Sequence, residues 1–298
     1  MRLRFYSTLL LFMGSIPAMA QDSLPPTVAD NARAELLSKQ FAFTEGPVAD
    51  KKGNVYFTDQ PNDKIWKYDT KGQLSVFLEK SGRANGLYLD AKGNIIACAD
   101  EKDELWSISP KGKIKILVNN FGGHRLNGPN DVWVAPNGGI YFTDPYYQRD
   151  YWDRKQPDIK EESVYYLAPG AKMPVIAAED IVKPNGIIGT RDGKQVYVAD
   201  INGGKVYRYD VNKDGTLSGQ HLMASKTTDG LALDSEGNLY LCGNGITVVN
   251  KEGQQTGHIP IPEGWTANAC FGGKDNNILF ITAGKGLYML KMKVKGGE

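Results

Sequence analysis

A short polar turn followed by a returning β-rich strand recurs six times along this chain of 298 residues. The returning strands read Asn54-Val-Tyr-Phe-Thr-Asp59, Asn94-Ile-Ile-Ala-Cys-Ala-Asp100, Gly139-Ile-Tyr-Phe-Thr-Asp144, Gln195-Val-Tyr-Val-Ala-Asp200, Asn238-Leu-Tyr-Leu-Cys242 and Asn277-Ile-Leu-Phe-Ile-Thr282. They start roughly 40 to 56 residues apart, which is blade spacing rather than helical-repeat spacing. A further strand follows each, as in Lys64 to Asp69 or Lys205 to Asp210. A unit of four short strands cannot bury both of its faces alone. Six of them therefore predict an all-β, six-bladed propeller with four antiparallel strands per blade.

The first twenty residues stand outside that pattern. Arg2 and Arg4 precede an apolar run from Leu9 to Ile16, and Ala18-Met-Ala20 is a small-x-small cleavage site. This predicts a signal peptide at 1–20 and an exported chain, periplasmic or secreted, beginning at Gln21. The apolar run is too short to span a bilayer, and no Cys follows the cleavage site, so no membrane anchor is expected. About 278 residues remain, enough for one closed propeller over 21–298 with core repeats at about 40–292. Removing Arg2 and Arg4 turns the formal charge of +1 into −1. A phosphate-backbone binder would carry a basic stripe, so no nucleic-acid partner is expected. Cys98, Cys242 and Cys270 lie inside apolar strands of different repeats and read as buried free thiols.

The third repeat shows the logic of one blade. Asp131-Val-Trp-Val-Ala135 is an apolar strand, Pro136-Asn-Gly-Gly139 turns the chain, and Ile140-Tyr-Phe-Thr143 returns it. Turns such as Asp50-Lys-Lys-Gly53 and Asp90-Ala-Lys-Gly93 account for much of the glycine, and no GxGxxG or Walker sequence is present. Ala34 to Ser38 precedes the first repeat and can supply the outermost strand of the last blade, closing the ring. Residues 145–162 form a long insertion between the second and third strands of the third repeat. Its Tyr146, Tyr147, Tyr151 and Trp152 favour a binding lid over a mobile excursion.

A polar residue precedes the first strand of every repeat: Thr44-Glu45-Gly46, Ala84-Asn85-Gly86, Pro129-Asn130-Asp131, Pro184-Asn185-Gly186, Thr228-Asp229-Gly230 and Ala267-Asn268-Ala269. First strands line a propeller's channel, so these six should converge at one mouth. Asn-Gly and Asp-Gly pairs are also common turn formers, and that is the structural alternative. Glu45 resists it, because Glu neither favours positive φ nor makes a short side-chain turn. Crowding oxygens around a narrow axis is unfavourable without a cation. An all-oxygen set with no His or Cys points to Ca²⁺, with Mg²⁺, Zn²⁺ or Mn²⁺ as alternatives.

Residues 40 to 290 resemble the gluconolactonase and senescence-marker-protein (regucalcin-like) family of calcium-dependent six-bladed propeller hydrolases. The resemblance rests on Thr44-Glu-Gly-Pro47, Arg125-Leu-Asn-Gly-Pro-Asn-Asp131, Ile140-Tyr-Phe-Thr-Asp-Pro145, Pro184-Asn-Gly186 and Thr228-Asp-Gly230, with Thr266-Ala-Asn-Ala-Cys-Phe-Gly-Gly273 a weaker match. It implies a metal held by Glu45, Asn130, Asn185 and Asp229, with hydrolysis of a lactone, first of all a sugar lactone, above it. Relatives that hydrolyse organophosphates or other lactones leave the substrate open.

Asp229 is the first candidate for a general base, and Glu45 shares the catalytic assignment with it. Asn85, Arg125, Tyr146 and Tyr147 are candidate substrate contacts. Asp131, Asp59, Asp144 and Asp200 are expected behind the ligands, orienting turns or the metal's own partners. His124 lies in an exposed-looking loop, and His221 and His258 read as surface residues. No G-x-S-x-G frame supports a Ser-His-Asp esterase. The charged segment Asp100-Glu-Lys-Asp-Glu104 departs from familiar relatives. The competing readings are a promiscuous lactonase or phosphotriesterase, and a non-catalytic carbohydrate- or protein-binding propeller braced by Ca²⁺.

Overall fold

The computed structural model describes residues 23–297, so the expected signal peptide lies outside the described residues. Twenty-four strands form six antiparallel sheets of four among the described residues. The innermost strands are Thr44–Ala49, Ala84–Leu89, Val132–Val134, Pro184–Gly189, Leu231–Leu233 and Thr266–Gly272, and neighbouring ones lie side by side around the axis. In the last blade the order from the axis outward is Thr266–Gly272, Ile278–Ala283, Gly286–Lys291, then Glu35–Ser38 from the chain's other end. Glu35 and Leu36 face Met289 and Tyr288, so the ring closes by β-pairing as the sequence predicts. The alternation of each strand drives Phe57, Tyr141, Tyr165, Tyr240 and Leu279 into the spaces between blades. Cys98, Cys242 and Cys270 are buried, and among the described residues none of them forms a disulfide.

The polar residue of each repeat reaches the axis through an irregularity in its own strand. Pairing of the first and second strands shifts register between Glu45 and Val48, Ala84 and Leu87, Pro184 and Ile187, and Thr266 and Asn268. In the third and fifth blades the regular strand starts two residues after Asn130 and Asp229. A bulge of this kind turns a side chain away from the sheet face, here toward the channel. Cross-blade bonds fix the result: Gly86 N–H donates to Asn130 O at 2.7 Å, Gly186 N–H to Asp229 O at 3.0 Å, and Gly230 N–H to Ala267 O at 2.7 Å. A Cβ on Gly186 would collide with Asp229 O, and one on Gly230 with the Asn268 amide. Neither glycine has a positive φ. The Asn-Gly and Asp-Gly pairs are therefore close-approach sites between neighbouring inner strands, not turn formers.

Asp59, Asp144 and Asp200 close their second strands and hold the segment that leads into the inner strand. Asp59 Oδ1 accepts Ala42 N–H at 3.0 Å, Asp144 accepts Asn127 and Gly128 N–H at 2.8 and 2.9 Å, and Asp200 accepts Val182 and Lys183 N–H at 3.1 and 3.0 Å. All three carboxylates thus hold backbone of the segment leading into their own inner strand. The fourth member of the series, Asp100, turns instead toward the 145–162 insertion.

Candidate active site

The inner-strand bulges gather Glu45, Asn85, Asn130, Asn185, Asp229 and Asn268 as buried side chains at one end of the channel, with Asp131 beside them. Asn268 Oδ1 accepts Ala269 N–H at 2.8 Å, which commits its amide nitrogen to the other side. That Nδ2 lies 3.3 Å from Glu45 Oε2 and 3.4 Å from Asp131 Oδ2, joining two carboxylates. Asp131 also accepts Val132 N–H at 2.9 Å and Ile187 N–H at 3.2 Å, and Glu45 accepts Gly46 N–H. Asp229 Oδ2 accepts the indole N–H of Trp265 at 2.5 Å. Asn185 Nδ2 donates to the Tyr147 hydroxyl at 3.1 Å, which leaves its Oδ1 for another partner. Asn85 Oδ1 is buried with no partner.

Three carboxylates thus share a buried space, and each is harder to ionise than usual. Burial, then the charges of Asp229 and Asp131, pushes Glu45 well above the ordinary range. Burial lifts Asp131 to about 7 against the pull of its N–H donors, and lifts Asp229 to about 6 against the Trp265 bond. Among the described residues none of the three takes part in an ion pair. Nor is any group of three or more His, Cys, Asp or Glu side chains gathered there as a metal cluster. The predicted set draws half its donors from amides. A hard cation that prefers oxygen fits this donor chemistry: two carboxylates, amide oxygens, and no lysine or arginine to neutralise them.

The insertion is fastened over the second and third blades by the buried Arg154 and the half-buried Arg149. Arg154 donates to Asp103 Oδ1 at 2.6 Å and to Leu126 O and Asn127 O at 2.9 and 2.7 Å. Arg149 Nε reaches Asp100 Oδ2 at 2.9 Å, and the Tyr151 hydroxyl donates to the same carboxylate. Lys183 Nζ donates to Tyr146 O at 2.7 Å and stands 4.4 Å from the centre of the Tyr147 ring. The charged segment that looked anomalous in sequence is the loop's docking strip.

Of the expected substrate contacts, Asn85 and Tyr147 are joined to the axial group. Tyr146 donates to Gln148 Oε1 at 2.6 Å within the loop. Arg125 is half-exposed and paired with Asp158 at 2.9 and 3.1 Å, so it acts as an outer latch of the insertion. His124 is exposed in a turn with Phe121. The Asp131 carboxylate accepts from Asn268 across the ring. Trp265 was missed altogether. Its only signal is an aromatic residue in Glu263-Gly264-Trp265, the segment leading into the sixth inner strand.

The sequence matches the model of the SMP-30/Gluconolactonase/LRE-like region over residues 43–285. The chain belongs to that family. It is 26% identical to a gluconolactonase of Zymomonas mobilis over 294 residues, covering 88% of this chain and 82% of the relative. It is also 26% identical to the lactonase drp35 of Staphylococcus saprophyticus, over 83% of this chain and 78% of that one. Among solved structures, a gluconolactonase from Xanthomonas campestris superposes with a TM-score of 0.83 at 28% identity, covering 94% of this chain and 98% of its own. A calcium-binding regucalcin from Agrobacterium tumefaciens shares the fold, with a TM-score of 0.74 at 19% identity over 89% and 95% of the two chains. Membership of this family supports hydrolysis of the lactonase type.

Proposed function

We propose that this chain is a cation-dependent lactone hydrolase acting first on sugar lactones of the glucono type. The observation that carries the reading is the axial trio of buried carboxylates with no cationic side chain among them. Glu45 and Asp229 would supply charge and Asn130 and Asn185 neutral oxygens to Ca²⁺, with Mg²⁺, Zn²⁺ or Mn²⁺ as alternatives. Bound there, the ion supplies Lewis acidity to the lactone carbonyl and charge to balance the tetrahedral oxyanion.

The remaining work belongs to side chains. Asp229, held through Oδ2 by Trp265, is the candidate base. A water oxygen bonds to the carbonyl carbon as one water proton passes to an Asp229 oxygen. That proton goes to the ring oxygen as its bond to the carbonyl carbon breaks, and the hydroxy acid results. Glu45 adds charge to the same site. Asn85 Oδ1 can accept from a substrate hydroxyl, and Tyr147, whose oxygen already accepts from Asn185, keeps its proton free to donate. Tyr146 stays a candidate wall of the pocket. Export to the periplasm or medium, with the mature chain starting at Gln21, belongs to the same reading and is checked by sequencing the mature N-terminus.

The test is turnover on a panel of glucono-type lactones, aliphatic lactones and an aryl phosphotriester, with and without a chelator. Chelator-sensitive turnover that is fastest on sugar lactones is expected. Faster turnover of the phosphotriester, or saturable binding without hydrolysis, would overturn it.

A further inference from the structure

The channel's other end holds a cavity of about 1020 Å³, walled by the turns that join first and second strands. Five residues of extended chain separate each axial polar residue from these turns, a span of about 15 Å, so the two ends are distinct sites. A volume of this size lies at the upper end of the range for small-molecule sites, about 300–1,000 Å³.

Six cations line the cavity: Lys51, Lys52, Lys67, Lys92, Arg191 and Lys274. None of them forms an ion pair with any described residue. The cations around the axial site behave differently, since Arg83, Arg149, Arg154 and Lys183 all have carboxylate partners. Only Asp50 and Asp90 bring negative charge to the lining, and both are spent on their own turns. Asp50 Oδ1 accepts Lys52 and Asn54 N–H at 2.9 Å each, and its Oδ2 accepts the Asn54 amide at 2.7 Å. Asp90 repeats the pattern with Lys92 and Asn94. Like charges lining a concave, low-dielectric wall repel one another and focus a field that draws counter-ions inward.

The wall also has an aromatic part. Tyr56 and Phe77, both half-buried, meet edge to face with ring centres 5.0 Å apart, and Lys67 Nζ stands 5.5 Å from the Tyr56 ring. Apolar walls with convergent charge suit a ligand that is itself flat and charged.

We propose that this opposite-end cavity is a second binding site, for a small polyanion with an aromatic body, separate from the hydrolytic site. The lysines hold the anionic groups and the Tyr56–Phe77 wall packs the ring. Binding follows charge and weakens with salt, because the cations are exposed.

The test uses the full chain at low salt and pyrene-1,3,6,8-tetrasulfonate, an aromatic tetra-anion, followed by fluorescence anisotropy. Saturable binding tighter than millimolar is expected, with competition by inorganic tripolyphosphate and none by neutral pyrenemethanol. The triple variant Lys51→Glu, Lys92→Glu, Lys274→Glu alters only exposed turn positions and should weaken binding at least tenfold. The matching Lys→Arg triple variant should keep it. Absence of saturable binding, or equal affinity in the charge-reversed variant at an unchanged melting temperature, would overturn the proposal. So would loss of binding in Glu45→Gln, because the probe would then be sitting at the other mouth.

Discussion

At the axis, Glu45, Asp131 and Asp229 are buried next to one another with only amide, indole and backbone N–H donors around them. Under the insertion, Asp100 and Asp103 are buried as deeply, but each meets an arginine at 2.9 and 2.6 Å. Arg149 and Arg154 oppose the effect of burial on those two carboxylates, although burial still leaves Asp100 above its usual value and lifts Asp103 to about 6. The contrast separates two uses of buried charge. A carboxylate matched by the protein's own cation fastens one segment to another. The axial carboxylates have no such partner among the described residues, and the proposed hydrolytic reading rests on that difference.

Several substitutions can break or sharpen this comparison. The largest effect is expected at the axis: Asp229→Asn and Glu45→Gln should each lower kcat/KM on a sugar lactone by about 10²–10⁴, the range for loss of a positioned acid–base group. In chelator the same variants should melt no lower than the parent, since each removes a buried like charge. A lower melting temperature would mean that the carboxylates brace the fold. At the loop, Arg154→Met leaves Asp103 buried without its partner and should cost about 3–5 kcal/mol. The cost should show as faster proteolysis within 145–162, and adding Asp103→Asn should recover most of it.

Smaller effects follow where single hydrogen bonds or ion pairs are lost. Trp265→Phe removes a bond to a charged group worth about 1.5–3 kcal/mol, so a loss of about tenfold or more in cation affinity or kcat/KM is expected. Tyr147→Phe removes one of two hydrogen-bond partners of the Asn185 side chain, the other being Asp229, and should act in the same direction more weakly. Arg125→Ala breaks only the exposed pair with Asp158 and should change stability by less than about 1 kcal/mol. If Arg125→Ala cost more activity than Trp265→Phe, the outer latch would be the true substrate contact.

The pH dependence has a definite sign. Burial pushes Asp131 up to about 7 and Asp229 up to about 6 in the folded chain, above their ordinary value of 3.8. Their raised values contribute stability that is full below pH 3.8 and is lost as pH rises toward 7. In chelator the melting temperature should therefore carry a destabilising contribution growing from about pH 4 to 7. A saturating cation should remove it, and the Asp131→Asn variant should reduce it.

The ring was legible because it is repeated. Six similar strand–turn–strand units fix blade number, and the polar residue before each inner strand marks the axial group, Asn268 included. The role of that residue was not legible. Asn268 donates to carboxylates instead of offering oxygen, and this follows from the neighbouring Ala269 N–H taking its Oδ1. Gly186 and Gly230, for which a turn role was the alternative, are contact points between strands, because the distance between two inner strands is not written in either one. The loop was harder still. Asp100 and Asp103 find Arg149 and Arg154 some 49 and 51 residues away, and no periodicity connects them. A non-repeated insertion carries no second copy against which its contacts can be read.

The most direct test titrates Ca²⁺ into chelated protein while binding heat and hydrolysis of a glucono-type lactone are followed on the same sample. The account predicts one cation per chain, hydrolysis rising in proportion to occupancy, and neither in Glu45→Gln/Asp229→Asn. Stability should rise with binding, by about 2.7 kcal/mol at a hundredfold excess over Kd. Full hydrolysis in the chelated protein, or stoichiometric binding that survives loss of both carboxylates, would contradict it.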